Sequence, residues 1–193
     1  FAGPSWLPDG SAFLYNRLRP AAAGANSQHD SATWLHKVGS DPSNDRMVFS
    51  RVLNPELGIQ PKDIPRAAVH KESGKMFGFV STVDRRLTVY YAPAGDLKKK
   101  KIAWKKLFVP ADDVHDFELT DKDIYLLTPK GAPGYKLLKA ALANPDLKQA
   151  ETVVPGFPGA TLSGFVLTKD GLYYTLAKNG VREELYFQKY GSR

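Results

Sequence analysis

The sequence has no cysteine, which removes disulfides, thiolate metal sites and cysteine nucleophiles together. That absence leaves the compartment open, because a chain without thiols is equally at home in reducing and oxidising surroundings. No run of about 18 uncharged apolar residues occurs, so no segment has the length of a membrane-spanning helix and no membrane partner is expected. The opening Phe1-Ala2-Gly3-Pro4-Ser5-Trp6 lacks the basic end and apolar stretch of a signal peptide. It reads as the middle of a strand and turn, and a native start further upstream is expected. Helical periodicity is nearly missing: the longest candidate, residues 135–147, has Gly134 before it and Asn144-Pro145 inside it, all poor helix formers. Also missing is a Gly-x-Ser-x-Gly segment, the turn that exposes a hydrolase nucleophile.

What remains is β-rich. Four segments pair an aromatic or β-branched run with a polar turn and a second such run. Ser5-Trp6-Leu7-Pro8-Asp9-Gly10 leads into Ala12-Phe13-Leu14-Tyr15-Asn16, and residues 68–74 lead into Met76-Phe77-Gly78-Phe79-Val80. Residues 116–123 lead into Ile124-Tyr125-Leu126-Leu127-Thr128, and residues 165–171 into Leu172-Tyr173-Tyr174-Thr175-Leu176. Each is a hairpin signal, with Gly, Asp or Ser at the turn. A third run follows every hairpin, at residues 34–38, 87–91, 135–138 and 185–187. A fourth closes the first three units, at residues 46–49, 106–109 and 151–154.

Aligned on Gly10, Gly74, Asp123 and Gly171, the units are spaced by 64, 49 and 48 residues. Four strands at such a period are the signature of propeller blades. The first interval is longer because of two insertions rich in Ala, Gly, Asn and Pro, at residues 20–31 and 54–65. The expected fold is therefore all-β, a partial β-propeller of about four blades. Three are complete and four-stranded, and one is three-stranded. The blades are placed at about residues 4–53, 65–110, 113–155 and 160–191, so that the incomplete propeller occupies 1–193.

At this point a resemblance carries further. Trp6-Leu7-Pro8-Asp9-Gly10 followed by Phe13-Leu14-Tyr15-Asn16-Arg17, and Leu35-His36-Lys37-Val38-Gly39-Ser40-Asp41 with Asp45 and Val48-Phe49, resemble stretches in the propeller of prolyl oligopeptidases. The most specific piece is Thr128-Pro129-Lys130-Gly131-Ala132-Pro133-Gly134-Tyr135-Lys136-Leu137-Leu138. It is similar to the family's Thr, Gly-Ala-Pro, then basic-and-aliphatic pattern, with Thr152-Val153-Val154-Pro155 after it. The Gly-Ala-Pro tilts the resemblance to the prolyl branch and away from oligopeptidase B. The chain departs from the family at Ser73-Gly74, where Asp-Gly is common, and around residues 55–65. The resemblance implies a propeller that covers an α/β-hydrolase domain and restricts access to short peptides. The hydrolase would supply the Ser, Asp and His of the triad, and that catalytic domain is absent from this chain.

No catalytic, cofactor-binding or metal-ligating residue is assigned. Ser163 lies near Gly159 and Gly164 but at the wrong spacing for a nucleophile elbow. His29 sits in a polar loop beside Asp30, and His36 in a strand beside Lys37. His70 and His115 fall near the first strand of their units, which in a propeller lines the central channel. His115 between Asp113 and Asp116 is a weak oxygen-plus-nitrogen grouping, and no His-x-x-x-His spacing occurs. The basic segment Lys98-Lys99-Lys100-Lys101-Ile102-Ala103-Trp104-Lys105-Lys106 carries much of the net charge of +7. It has the composition to bind phosphates and stack a base. Its place between the third and fourth strands of a blade instead predicts a solvated rim hairpin, whose lysines protect an outer edge; no nucleic-acid partner is expected. Glu183-Glu184-Leu185-Tyr186-Phe187-Gln188 resembles a tag-removing protease site, yet falls in register with the third strand of the repeat.

The sequence thus points to a gating propeller fragment of a prolyl oligopeptidase-like serine endopeptidase. The other reading is a stand-alone propeller scaffold that binds a protein or an anionic partner. The expected partners are the parent's catalytic domain, short peptides, and a second copy of the fragment. Self-association would cover bare blade faces bearing side chains such as Phe13, Tyr15, Tyr173 and Leu185.

Overall fold

Short runs rich in aromatic and β-branched residues recur along this chain, and such residues fit the pleated surface of a strand, whose successive side chains point to opposite faces. The computed structural model describes residues 3–18 and 29–191; most of the expected insertion at 20–31 lies outside them. Among these described residues, fifteen strands form four antiparallel sheets, and in every sheet neighbours in sequence are neighbours in space. The first sheet holds β1 (Ser5–Trp6), β2 (Ala12–Arg17), β3 (Ala32–Lys37) and β4 (Arg46–Phe49). The second holds β5 (Ile64–His70), β6 (Lys75–Ser81), β7 (Val89–Pro93) and β8 (Lys105–Phe108). The third holds β9 (Asp116–Leu119), β10 (Asp123–Thr128), β11 (Lys136–Ala141) and β12 (Glu151–Val154). The fourth is three-stranded, with β13 (Ala160–Leu167), β14 (Gly171–Lys178) and β15 (Arg182–Lys189). This is an all-β, partial β-propeller. Residues 136–141, inside the weak helical candidate, are the strand β11.

The turns follow local chemistry. Asp9 accepts from the Ser11 N–H and O–H at 3.0 and 2.7 Å, closing the β1–β2 turn as an Asx motif. Asn179 (φ 52°) and Gly180 (φ 70°) both take positive φ between β14 and β15, the pair that a two-residue hairpin requires. Where the third strand meets the fourth, the register slips once in each of three sheets. The slips fall between Thr33 and Trp34, between Val89 and Tyr90, and between Leu137 and Leu138.

The chain divides into two compact units, Phe1–Val109 and Pro110–Arg193. In the first, Leu14, Val48, Phe49, Met76, Tyr90 and Ile102 are core residues. In the second, Leu137, Val154, Leu162, Phe165, Leu172 and Leu176 take that role.

One sequence-based expectation changes here, and one insertion is partly buried. Residues 54–65, loop-like by composition, are not wholly exposed: Asn54, Ile59 and Asp63 are buried, and Tyr90 donates its hydroxyl to the Leu57 carbonyl at 2.8 Å. β5 begins at Ile64, with Pro65 inside it. Pro is tolerated there because β5 is the first strand of its sheet and needs no ladder donor on its outer side. The basic segment is not wholly solvated either. Its lysines are exposed, but Ile102 is 2% exposed and Trp104 packs on the same core, 4.8 Å from the Phe49 ring. A short polar run with one Ile and one Trp hides two anchors among charges.

Candidate functional site

The residues singled out by the sequence resolve into local clusters. On the first sheet, Leu14 belongs to the core shared with the second sheet, and Phe13, Tyr15 and Arg17 take the opposite face by strand alternation. Across the ladder, Phe13 opposes His36, and Tyr15 opposes Trp34. Asp41-Pro42-Ser43-Asn44-Asp45 forms a 3-10 turn in which Asp41 caps the Ser43 N–H at 2.8 Å. That turn delivers Asp45 onto the strands.

The Asp45 side chain is only 1% exposed. Its carboxylate accepts the Tyr15 hydroxyl at 2.5 Å and lies 2.8 Å from His36 Nδ1. Arg17 reaches the Tyr15 hydroxyl at 3.3 Å and stacks over the Trp34 ring, 3.6 Å from its centroid. Burial, and then the bond to Asp45, push the Tyr15 pKa up. The cluster knots β2, β3 and the β3–β4 link together.

His70 and His115 are each bound locally. His70 Nδ1 is 3.0 Å from the Ser73 hydroxyl and its Nε2 is 3.5 Å from Glu72, all within the β5–β6 turn. His115 is held between Asp113, at 3.1 Å from Nε2, and the Tyr135 hydroxyl, at 3.0 Å from Nδ1. Both partners have positive φ, 59° and 65°, a conformation uncommon outside glycine. Asp116 turns away to bond the Phe117 N–H at 2.8 Å, so the sequence trio around His115 reduces to one carboxylate. Among the described residues, no three His, Asp or Glu side chains stand close enough to share a metal ion. His29 is an exposed turn residue.

Ser163 lies on β13, exposed, and its Oγ donates to the Thr175 carbonyl at 3.3 Å and faces Glu183 at 3.4 Å. Neither partner is the histidine that activates a serine nucleophile. Residues 183–188 are built into β15 and pair with β14 along their length. The Asp45 cluster is what sequence reasoning missed. Its one visible signal was Tyr15 and Arg17 on one face of a strand, with Trp34 and His36 on one face of the next.

The relatives bring the fold and the family together. The sequence model described as "Prolyl oligopeptidase, N-terminal beta-propeller domain" matches residues 1–188. Prolyl oligopeptidase A of Amanita bisporigera is 26% identical over 206 aligned residues, which cover 100% of this chain and 26% of that protein. A solved prolyl endopeptidase superposes with a TM-score of 0.76 at 19% identity, covering 98% of this chain and 27% of that one. Apo prolyl oligopeptidase B from Galerina marginata gives 0.72 at 21%, over 98% and 25%. The chain thus spans about a quarter of the length of the relatives it matches. The match over nearly all of its residues places this chain in the prolyl oligopeptidase family, as part of the family's N-terminal β-propeller domain.

Proposed function

We propose that this chain serves as part of a gate. It would restrict access of short peptides to a serine-peptidase catalytic domain that it does not itself contain. The observation that carries the reading is the family match over residues 1–188. The chemistry of the chain agrees with it, because Ser163 lacks an oriented histidine and histidines 36, 70 and 115 are each held by neighbours in their own unit. The purified chain is expected not to turn over a fluorogenic Gly-Pro substrate. Turnover that survives repurification and disappears in Ser163→Ala would overturn this.

The gating itself is tested in a polypeptide that joins this propeller to a hydrolase domain. Short prolyl peptides should be cleaved and folded proteins carrying the same site spared, and removal of the propeller should abolish the discrimination. Folded proteins cleaved as fast as short peptides would refute the gate.

As an isolated chain, the fragment should also self-associate. Trp6 is 54% exposed on the first sheet, and Val166, Leu185 and Phe187 are 53, 70 and 50% exposed on the fourth. Apolar sheet faces of this kind favour association. Light scattering coupled to size exclusion should show a species larger than 21.3 kDa; a concentration-independent monomer would end the idea.

A further inference from the structure

At the end of the first unit that carries the β1–β2 and β5–β6 turns, a cleft of about 610 Å³ opens between the first and second sheets. Its volume lies within the range of about 300–1,000 Å³ usual for small-molecule sites. Leu7, Ala12, Leu35, Val69 and Leu97 make its wall, and Lys37, Arg46, Lys71 and Lys98 stand around it. The one carboxylate of the lining, Asp9, is already committed to the Ser11 N–H and O–H. His70 is held by Ser73 and Glu72.

Arg46 is the most telling of the four cations. It is partly buried, and its guanidinium donates to two main-chain carbonyls, those of Leu97 and Lys99. No acidic side chain lies within ion-pair distance of Arg46, Lys37 or Lys71 among the described residues. Burial alone lowers the Arg46 pKa, as expected for a desolvated cation without a counter-charge. An apolar wall under an excess of positive charge is complementary to a molecule with a hydrocarbon body and one anionic head. The lining contains no aromatic ring other than His70, so it lacks the platform on which a nucleotide base would stack.

We propose that this cleft binds a medium-chain fatty acid, its hydrocarbon chain against Leu7, Leu35, Val69 and Leu97 and its carboxylate among Arg46, Lys37, Lys71 and Lys98. The site lies wholly within the first unit, and of the clusters described above only His70 touches its lining.

Calorimetric titration of the purified chain with dodecanoate, below its micelle concentration, tests the site. Saturable binding of one molecule per chain is expected. Dodecanol and dodecyltrimethylammonium, with the same tail and the wrong head, should bind about tenfold more weakly or worse, the effect of losing one charge-assisted hydrogen bond. Lys37 and Lys71 are exposed, so the double variant Lys37→Gln/Lys71→Gln should keep the wild-type circular dichroism and urea midpoint. Its dodecanoate affinity should fall about tenfold. Absence of saturable dodecanoate binding would overturn the proposal. So would equal affinity for the three heads, or an unchanged affinity in the folded double variant. An apolar peptide that binds through its C-terminal carboxylate where dodecanoate does not would also overturn it, in favour of a peptide end.

Discussion

The two units join one sheet to the next with a different balance of side-chain and backbone contacts. In the unit of residues 1–109, side chains reach main-chain carbonyls across the junction. Asn16 and Thr33 converge on the Pro65 carbonyl at 2.8 and 3.0 Å, Arg46 donates to Leu97, and Tyr90 donates to Leu57 at 2.8 Å. In the unit of residues 110–193, one side chain also crosses, Glu118 accepting the Leu167 N–H at 2.8 Å, but the closest approach is backbone against backbone. The Leu162 N–H donates to the Gly134 carbonyl at 2.8 Å, and a Cβ placed on Gly134 would stand 2.3 Å from the Ala160 carbonyl oxygen. A junction of side-chain ties can lose one member and keep the others. A junction of touching backbones tolerates no added atom, so its weakest point is a single glycine.

The sharpest perturbation lies in the apolar core of the first junction. Phe49 is 0% exposed and packs against Tyr90 and Trp104, so Phe49→Ala should cost about 4 kcal/mol. All three tryptophans, at 6, 34 and 104, belong to the first unit. Urea unfolding followed by tryptophan emission therefore reports that unit directly, and an unchanged midpoint would deny Phe49 its central place.

Gly134→Ala tests the backbone junction and should cost about 3 kcal/mol through forced separation of the third and fourth sheets. Far-UV circular dichroism is the probe there, since the second unit has no tryptophan. Asn16→Ala tests the side-chain junction and should cost about 1 kcal/mol, because Thr33 still satisfies the Pro65 carbonyl. If Gly134→Ala proves no worse than Asn16→Ala, the contrast between the two junctions fails.

Replacing Lys98, Lys99, Lys100 and Lys101 together by Gln should shift stability by no more than about 0.5 kcal/mol, for all four are exposed. A larger loss by chemical denaturation would mean that the lysines, and not only Ile102 and Trp104, hold the segment down. The smallest effect is on the acid side of the second unit. Lys178 first, and then the Tyr186 hydroxyl, hold the Glu184 pKa below its ordinary value. A lowered folded pKa contributes stability above the unfolded titration range and loses it as pH falls through the folded value. Glu184→Gln should therefore lower stability slightly at neutral pH, leave the acid extreme unchanged, and so flatten the acid limb of a stability–pH profile. A steeper acid limb in the variant would contradict the assignment.

The fold was largely readable because each blade repeats a local code. Runs such as Ala12-Phe13-Leu14-Tyr15 and Leu172-Tyr173-Tyr174-Thr175 each lie in a strand of their own, and polar turns punctuate them. Alternation also places Phe13, Tyr15, Tyr173 and Leu185 on the faces opposite their units' cores. The junctions and clusters were not readable, because they join residues far apart in the chain. Asp45 meets Tyr15 across 30 positions, Asn16 meets Pro65 across 49, and Arg46 meets Leu97 across 51. Pro65 illustrates the failure: it looks like a strand breaker, yet its carbonyl is the hub of a sheet contact. Nothing in the local sequence around Trp104 separates an anchor from its charged neighbours.

The slipped register between third and fourth strands recurs in three sheets, within one residue of the same place on each ladder. A bulge sharpens local twist and bends the strand that carries it, so it is a conspicuous irregularity to meet three times. Such a shared irregularity gives the three sheets the same bend at the place where the fourth strand is added. It also supplies a practical frame for recombination. Segments exchanged between blades with their bulges kept in phase should inherit a compatible curvature, whatever their surface residues have become.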